Sequence, residues 1–354
     1  MSASYDYTVF IGRCQPVHNG HLAMMLRALE LGRHLIVALG SAQRSRNIKH
    51  PFSDGEREAM IRAALDEALP GASARLTVCP IRDRYDDRRW AAAVRTAVGA
   101  VVPEGASVAL VGHAKDHSTY YLRAFPEWPL VLESVHAHGV SATRVRALFF
   151  TDPDQGQSGV GLSTLLPSAV ERFLEAFRQT PPFHDLAAEY REVMQGKAAW
   201  AVAPYPVVFV TVDAVLECAG HVLLIRRGGF PGRGQWALPG GFLDQNERLL
   251  AAAKRELAEE TSLRLDAAAV APELLGSAVF DYPDRSVRGR TVTHAFHFRM
   301  NQAELPVVQG GDDAAEARWV PVADLAGMSD RMFEDHLHII DSFIPVYPDS
   351  PARG

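Results

Sequence analysis

The sequence predicts an α/β protein of two successive domains, the first with a parallel sheet and the second with a mixed sheet. The chain has 354 residues, more than one ordinary core holds at about 150 residues per domain. From Tyr7 to about Leu132, short β-rich runs alternate with helix-like segments, which is typical of βαβ units. Beyond residue 205 strands predominate around one long helix, so we expect an α+β domain there.

Each element of the first domain follows from a run of residues. Strands are predicted at YTVFIG, HLIVALG, ARLTVCPI and ASVALVG, where β-branched and apolar residues concentrate. Helices are predicted between them at HLAMMLRALELG, DGEREAMIRAALDEAL and DDRRWAAAVRTAVGA. SATRVRALFF and LLPSAVERFLEAFRQ are predicted to be helices that close the domain, and Pro181 and Pro182 end the last of them.

A linker is predicted between the two domains. Residues 184–205 have a mixed composition and end in APYP, which is typical of a connecting segment. We therefore predict a first domain over 1–183 and a second domain over 206–354. In the second, strands are predicted at VVFVTVDAVLE, HVLLIRR, VTHAFHFRM and ARWV, with a helix from about Asn246 to Thr261.

Composition and charge exclude several classes of protein. Hydrophobic residues make up 47% and charged residues 22%, as in soluble globular proteins. The net charge of −6 gives no argument for a nucleic-acid partner, and three scattered cysteines form neither a disulfide framework nor a zinc knuckle. The N-terminus lacks a signal-peptide pattern, and no run approaches the ~18 apolar residues of a membrane span. We expect a cytoplasmic protein that acts on small molecules. A homo-oligomer is possible, and the sequence does not determine the oligomeric state.

GRCQPVHNGH, residues 12–21, predicts a phosphate-binding loop after the first strand. Gly12 permits a sharp turn, Pro16 stiffens the loop, and a helix then begins whose first N–H groups attract anions. His18 and His21 are three residues apart, so they lie on one side of the helix start and can donate hydrogen bonds to one phosphate chain. The alternative is a pair of partly exposed histidines without a role.

These ten residues resemble the GRFQPxHxGH signature of the nucleotidyltransferase superfamily, whose members hold a nucleotide triphosphate with this loop. Residues 140–150, VSATRVRALFF, resemble the SxTxxR motif of the same family. The resemblance implies a Rossmann-like domain with ATP as substrate, and it implies His18, His21 and Arg146 as catalytic electrostatic clamps. It also implies five ATP- or phosphate-binding residues: Gly12, Arg13, Gln15, Ser141 and Thr143. The family's phenylalanine is replaced by Cys14.

Further stretches resemble the archaeal-type nicotinamide mononucleotide adenylyltransferases; they are residues 40–61, 86–94 and 112–128. By this resemblance Trp90 stacks on the nicotinamide ring, and Lys115 and Asp116 lie at the mononucleotide site. A core position for Trp90 is the alternative. The mononucleotide phosphate is already an anionic nucleophile, so the reaction needs no general base. It needs relief of the repulsion between anions, which hydrogen-bond donors, arginine and Mg²⁺ supply.

Residues 241–263, GFLDQNERLLAAAKRELAEETSL, resemble the Nudix box. Eight positions fall in register: Gly241, Glu247, Arg255, Glu256, Leu257, Glu259, Glu260 and Leu263. At about 100° of turn per residue, the last three glutamates share one side of a helix, and such carboxylates attract a hard divalent cation. A solvated acidic helix face is the alternative.

The Nudix resemblance assigns roles to these residues. Metal ligands are Glu256, Glu259, Glu260 and the Gly240 carbonyl, with Glu259 and Glu260 catalytic; Glu247 and Arg255 form a structural ion pair. We expect Mg²⁺, or Mn²⁺ in its place, in both domains. Ser262 replaces the family's penultimate glycine, where a left-handed residue costs serine about 1 kcal/mol.

Residues 282–298 resemble the same region of ADP-ribose pyrophosphatases that are fused to an adenylyltransferase. Together these resemblances imply a bifunctional nicotinamide mononucleotide adenylyltransferase/Nudix hydrolase, which makes NAD from ATP and cleaves ADP-ribose to AMP and ribose 5-phosphate. Four alternatives stay open: adenylylation of nicotinate mononucleotide, transfer of a cytidylyl group, a non-catalytic nucleotide sensor, and hydrolysis of another nucleoside diphosphate. The sequence does not rank Asp312, Asp313 and Glu316 as further acidic ligands. The histidines of this half, which lack metal spacing, are expected in the core or on the surface: His294, His297, His336 and His338.

Overall fold

The computed structural model describes residues 3–113, 117–133, 140–151, 161–263 and 272–350. The chain divides into two compact units, Met1–Ala187 and Ala188–Gly354. Within the described ranges, no helix has both the length and the apolar character that crossing a membrane requires.

A parallel sheet forms the centre of the first unit. Its strands are β1 (Tyr5–Gly12), β2 (Gly32–Leu39), β3 (Leu76–Pro80), β4 (Val108–Gly112) and β5 (Leu130–Leu132). Their order is β3-β2-β1-β4-β5, and every neighbouring pair is parallel. This doubly wound order confirms the predicted Rossmann-like domain. The order reverses between β1 and β4, so the loops that follow these strands border a crevice where such folds bind ligands.

The helices of the first unit follow the predicted order. They are α1 (Asn19–Leu31), α2 (Asp54–Ala68), α3 (Asp87–Gly99), α4 (Ala142–Phe150) and α5 (Ser168–Phe177). The start of α2 is a capping box, in which Ser53 Oγ accepts from the Glu56 N–H and the Glu56 carboxylate accepts from the Ser53 N–H. This pairing satisfies N–H groups that a helix start otherwise leaves without partners.

Pro181 and Pro182 end one helix but begin another, α6 (Pro181–Trp200). Proline fits the first turn of a helix because its fixed φ is helical and its missing N–H has no partner there. The segment predicted to be a linker, 184–205, is therefore helical as far as Trp200, and the division of the chain into two units falls within this helix, after Ala187.

A mixed sheet forms the centre of the second unit. The elements are β6 (Val208–Cys218), β7 (His221–Arg227), β8 (Trp236–Ala237), β9 (Gly240–Phe242), α7 (Leu249–Thr261), β10 (Glu273–Phe280), β11 (Arg290–Met300), β12 (Ala314–Pro321), α8 (Val322–Leu325) and α9 (His336–Phe343). The sheet order is β10-β11-β6-β7-β12, with β9 on β6 and β8 on β7. Strands β6 and β11 are parallel while the other pairs are antiparallel, which confirms the predicted α+β domain.

Helix α7 packs one side on the sheet and presents another to the candidate site. Ala252, Ala253 and Leu257 are buried in a core cluster that includes Leu223 of β7 and Phe296 of β11. Burial of these apolar side chains fixes the rotation of the helix, so the glutamates between them lie at a definite position beside β9.

Ser262 ends α7 in the left-handed conformation, with φ of 60°. We expect Ser262→Gly to raise the free energy of unfolding by about 1 kcal/mol, because glycine adopts this conformation without a clash at Cβ. Urea unfolding of the full chain measures the change. Ser262→Ala is the control, since alanine keeps the strain and loses only the contact from Ser262 Oγ to Gln309 O at 3.3 Å. Equal stability of the two variants would contradict the prediction.

Candidate active sites

The two predicted histidines lie side by side where α1 begins. His18 is the N-cap residue, and its Nδ1 accepts a hydrogen bond from the His21 N–H at 3.3 Å. The proton of neutral His18 therefore sits on Nε2, which is a hydrogen-bond donor. The two imidazole rings are stacked, with centroids 3.6 Å apart. Burial and the neighbouring His18 hold the pKa of His21 well below its usual range, so His21 contributes a neutral hydrogen-bonding group.

Arg146 joins the second motif to the first. Ser141 caps α4, with its Oγ accepting from the Arg144 N–H at 3.2 Å. Arg146 Nη1 donates to the Gln15 carbonyl at 2.7 Å, and Nη2 donates to Thr143 Oγ1 at 3.2 Å. The two stretches are 131 residues apart along the chain, measured from Gln15 to Arg146, yet they meet in one crevice.

The crevice favours an anion. Burial, and after it the positive charge of Arg13, lower the pKa of Arg146 to about 10. Two guanidinium charges that destabilise each other are both stabilised when an anion binds between or beside them. The N-terminus of α1 adds the partial positive charge of the helix dipole.

The Gln15 side chain holds the loop after β1 in place. Its Nε2 donates to the Phe52 carbonyl at 2.8 Å, and its Oε1 accepts from the Phe52 N–H at 3.0 Å. The side chain is 2% exposed. Because both polar atoms are already bonded to backbone, this side chain has a structural place, and a contact of Gln15 with phosphate stays a prediction.

Arg57 is a residue of this site that the sequence analysis missed. Its side chain is fully buried and donates to the carbonyls of Arg13 at 2.6 Å and Gly40 at 2.7 Å, and to the Asp54 carboxylate at 2.7 Å. It thus ties the loops after β1 and β2 to α2. A signal was present in the sequence, because Arg57 shares the apolar side of α2 with Met60, Ile61, Ala64 and Leu65.

The residues predicted to bind the mononucleotide are only partly described. Trp90 lies in α3 and is half-buried, with its ring 5.9 Å from the rings of both Tyr121 and Phe125, measured between centroids. It packs against the core and keeps part of its surface accessible, so its stacking on nicotinamide stays a prediction. Lys115 and Asp116 lie outside the described residues.

The second candidate site lies between α7 and β9. Glu256 and Glu260 are buried, whereas Glu259 is exposed. The Gly240 N–H donates to Glu260 Oε2 at 2.8 Å. A Cβ atom on Gly241 would lie 2.4 Å from Glu256 Oε1, so the carboxylate has room only because this residue is glycine.

Arg255 binds three of the Nudix-box glutamates. The predicted pair is present, with Arg255 Nη2 at 2.7 Å from Glu247 Oε1. Its Nη1 also donates to Glu256 and to Glu259, each at 2.9 Å. Throughout the described ranges, no group of three histidine, cysteine or acidic side chains is already arranged as a metal site. The glutamates thus gather around Arg255 in this structure.

Asp313 is the loop carboxylate that joins the cluster. Burial, hydrogen bonding to Asp313 and the nearby charges of Asp313 and Glu256 together raise the pKa of Glu260 to about 10. Glu316 instead faces Arg226, with 3.8 Å between Oε2 and Nε. The structure therefore ranks Asp313 above Glu316. Carboxyl oxygens crowded in this way suit a hard divalent cation, because it offsets their repulsion and prefers oxygen ligands.

The histidines of the second unit have structural contacts. His297 Nε2 lies 3.3 Å from Glu217 Oε2, and His336 Nδ1 accepts from the Leu238 N–H at 2.9 Å. His294 stacks on Phe296 with 4.6 Å between ring centroids. These contacts are those of core and sheet residues, as the sequence predicts.

Two family models match the chain. The model described as Cytidylyltransferase-like covers residues 9–148, and the NUDIX domain model covers residues 207–343. The first match spans the loop after β1 and the start of α4, and the second contains α7 with its glutamates.

Known proteins resemble each half and the whole. The nicotinamide/nicotinic acid mononucleotide adenylyltransferase of Acinetobacter baylyi is 39% identical over 188 residues, 53% of this chain and 94% of that protein. The ADP-ribose pyrophosphatase of Methanocaldococcus jannaschii is 35% identical over 135 residues, 38% of this chain and 72% of that protein.

A solved structure covers both units. The bifunctional NMN adenylyltransferase/ADP ribose pyrophosphatase of Francisella tularensis is 37% identical, with a TM-score of 0.87 over 95% of this chain and 97% of that one. A second structure of that protein, complexed with AMP and a manganese ion, is 36% identical with a TM-score of 0.86 over 95% and 97% of the two chains.

Proposed function

The chain belongs to the family of bifunctional nicotinamide mononucleotide adenylyltransferase/ADP-ribose pyrophosphatases, and we propose that it performs both reactions, one in each unit. The first unit transfers AMP from ATP to nicotinamide mononucleotide, giving NAD and pyrophosphate. The second unit hydrolyses ADP-ribose to AMP and ribose 5-phosphate. The observation that carries the first activity is the contact of Arg146 with the Gln15 carbonyl, which unites two phosphate-binding motifs in one crevice.

In the first reaction a phosphate oxygen of the mononucleotide attacks the α-phosphorus of ATP, and the bond to pyrophosphate breaks. The attacking group is already an anion, so the protein has to hold the two anions together and stabilise the departing one. His18 donates from Nε2, His21 adds a neutral hydrogen-bonding group, and Arg146 supplies positive charge. Mg²⁺ bound with ATP neutralises further charge on the phosphates.

In the second reaction water attacks one phosphorus of the diphosphate, and the bridging P–O bond breaks. Glu256, Glu260 and the Gly240 carbonyl would hold a divalent cation, with Asp313 and Glu259 beside them. Such a cation would neutralise charge on the diphosphate and lower the pKa of the attacking water. The Gly240 N–H orients the Glu260 carboxylate, and Arg255 orients Glu256 through the ion pair that also includes Glu247.

Product analysis of the full chain tests both activities. With ATP, nicotinamide mononucleotide and Mg²⁺, we expect NAD and pyrophosphate in equal amounts. With ADP-ribose and Mg²⁺ or Mn²⁺, we expect AMP and ribose 5-phosphate. Absence of pyrophosphate would overturn the first assignment, and cleavage of other dinucleotides without cleavage of ADP-ribose would overturn the second.

Nicotinate mononucleotide is a second candidate substrate of the first unit. The Acinetobacter baylyi relative carries both the amide and the acid in its name, and it is 39% identical over 94% of its length. The same assay with nicotinate mononucleotide in place of the amide decides between them through the ratio of kcat/KM values.

A further inference from the structure

Two arginines lie beside the carboxylate cluster of the second unit. Arg227 is the last residue of β7, and Arg288 lies in the turn before β11. Neither forms an ion pair with an acidic side chain in the part of the chain that the structure describes. Arg285 differs, because it is buried and makes a bidentate pair with Asp335 at 2.8 and 2.9 Å.

Aromatic rings hold the two guanidinium groups near each other. The Arg227 guanidinium carbon lies 4.3 Å from the centroid of the Phe333 ring, and that of Arg288 lies 5.9 Å from the same ring. Arg288 is also 5.0 Å from the centroid of Phe242. Stacking on aromatic faces positions guanidinium groups while their N–H donors remain directed outward in the plane.

Both arginines adjoin the carboxylates. Gly228, the residue after Arg227, donates its N–H to the Asp313 carbonyl at 2.8 Å. Phe242, which Arg288 covers, is the last residue of β9, and the preceding Gly241 lies against Glu256. Arg227 therefore reaches the cluster from the side of Asp313, and Arg288 reaches it from the side of β9.

The positions of these two guanidinium groups on one aromatic ring favour an anion beside them. Burial lowers the pKa of Arg227 and the charge of Arg288 lowers it further, whereas Asp313, Glu334 and Glu260 act in the opposite direction. Two cations near each other are destabilised until a negative group binds to them. Glu260 and Asp313 lie near this pair, and their crowded carboxyl oxygens suit the divalent cation that accompanies a diphosphate.

We propose that Arg227 and Arg288 bind the diphosphate of the second unit's substrate. This inference rests on the proposed function, in which that substrate is a nucleoside diphosphate compound. Guanidinium donors match pairs of phosphate oxygens, and the diphosphate together with its divalent cation neutralises both the arginine pair and the carboxylate cluster. The arginines bind and orient the anion, and the carboxylates hold the cation.

Calorimetric titration in EDTA, which prevents hydrolysis, tests the proposal. Every arm is a full chain that also carries His18→Ala and Arg146→Met, so that the anion site of the first unit is removed. The probes are ADP-ribose, inorganic pyrophosphate and adenosine. We expect Arg227→Met/Arg288→Met to lower the affinity for ADP-ribose and for pyrophosphate about 100-fold, because two charged hydrogen bonds are lost. The affinity for adenosine, which has no phosphate, should not change.

Two control variants separate charge from folding. Arg226→Met changes the neighbour on β7 whose side chain points to the opposite face and pairs with Glu316, and we expect less than a twofold effect. Arg227→Lys/Arg288→Lys keeps both charges and should retain more pyrophosphate affinity than the methionine variant.

Three outcomes would overturn the proposal: unchanged pyrophosphate affinity in the methionine variant, equal losses for adenosine and ADP-ribose, or a parent chain that binds neither diphosphate. If the parent binds pyrophosphate through these arginines but the unsubstituted chain leaves ADP-ribose intact, the diphosphate site is supported and the proposed substrate alone fails.

Discussion

Glu260→Gln is expected to lower the rate of ADP-ribose hydrolysis by about 10³-fold or more, while NAD synthesis stays within about twofold. The substitution removes one carboxylate from the proposed cation site and keeps the size of the side chain. Glutamine Oε1 can still accept the hydrogen bond that the Gly240 N–H donates to Glu260 at 2.8 Å. We therefore expect the fold to persist and the loss to be confined to hydrolysis.

Parallel assays on one preparation make this comparison. AMP release from ADP-ribose and NAD formation from ATP are measured on the unsubstituted chain, Glu260→Gln and Glu316→Gln. The last is a matched control, since Glu316 is a carboxylate of the same unit that faces Arg226 outside the cluster. Hydrolysis by Glu260→Gln within tenfold of the unsubstituted rate would show that this carboxylate does not hold the catalytic cation.

Arg57→Met is expected to lower the free energy of unfolding of the first unit by about 3–5 kcal/mol. The substitution leaves the carbonyls of Arg13 and Gly40 and the Asp54 carboxylate without their buried donor. It also frees the loop that carries Arg13 from α2, so we expect the KM for ATP to rise at temperatures where the variant remains folded. ADP-ribose hydrolysis, which belongs to the other unit, should be unchanged.

Chemical unfolding and NAD-synthesis kinetics provide the two readouts for Arg57. Arg62→Met is the control on the same helix, because Arg62 is part-exposed and pairs with Glu58 at 2.7 Å, an ion pair worth less than about 1 kcal/mol. Arg57→Lys restores one donor and should recover part of the stability and of the KM for ATP. If Arg57→Met and Arg62→Met had the same free energy of unfolding, Arg57 would not anchor the loops after β1 and β2.

The sequence was sufficient for both folds because their signals are local. Alternating strands and helices predict the parallel sheet from periods of two and 3.6 residues, and the change of pattern after residue 205 predicts the second unit. The start of α6 was not predicted, since Pro181 and Pro182 stop a helix in its interior and start one in its first turn, and the sequence alone does not distinguish the two positions.

The site was predicted where one motif contains the interacting groups. His18 and His21 lie side by side, as their spacing of three residues predicts, and the pair of Glu247 with Arg255 was implied by the resemblance to the Nudix box. The contacts of Gln15 and Arg57, and the choice of Asp313 over Glu316, depend on segments tens of residues apart. Such contacts are set by the packing of helices on the sheet, and no local pattern encodes them.

The hydrogen bond from Arg146 to the Gln15 carbonyl has a consequence for nucleotide affinity. An arginine side chain ordered only by its ligand gives up rotamer freedom on binding, at about 0.5–1.5 kcal/mol. Here the side chain is already held by a main-chain oxygen 2.7 Å away. Folding therefore bears most of this entropic penalty, and the crevice is preorganised for the triphosphate before ATP arrives.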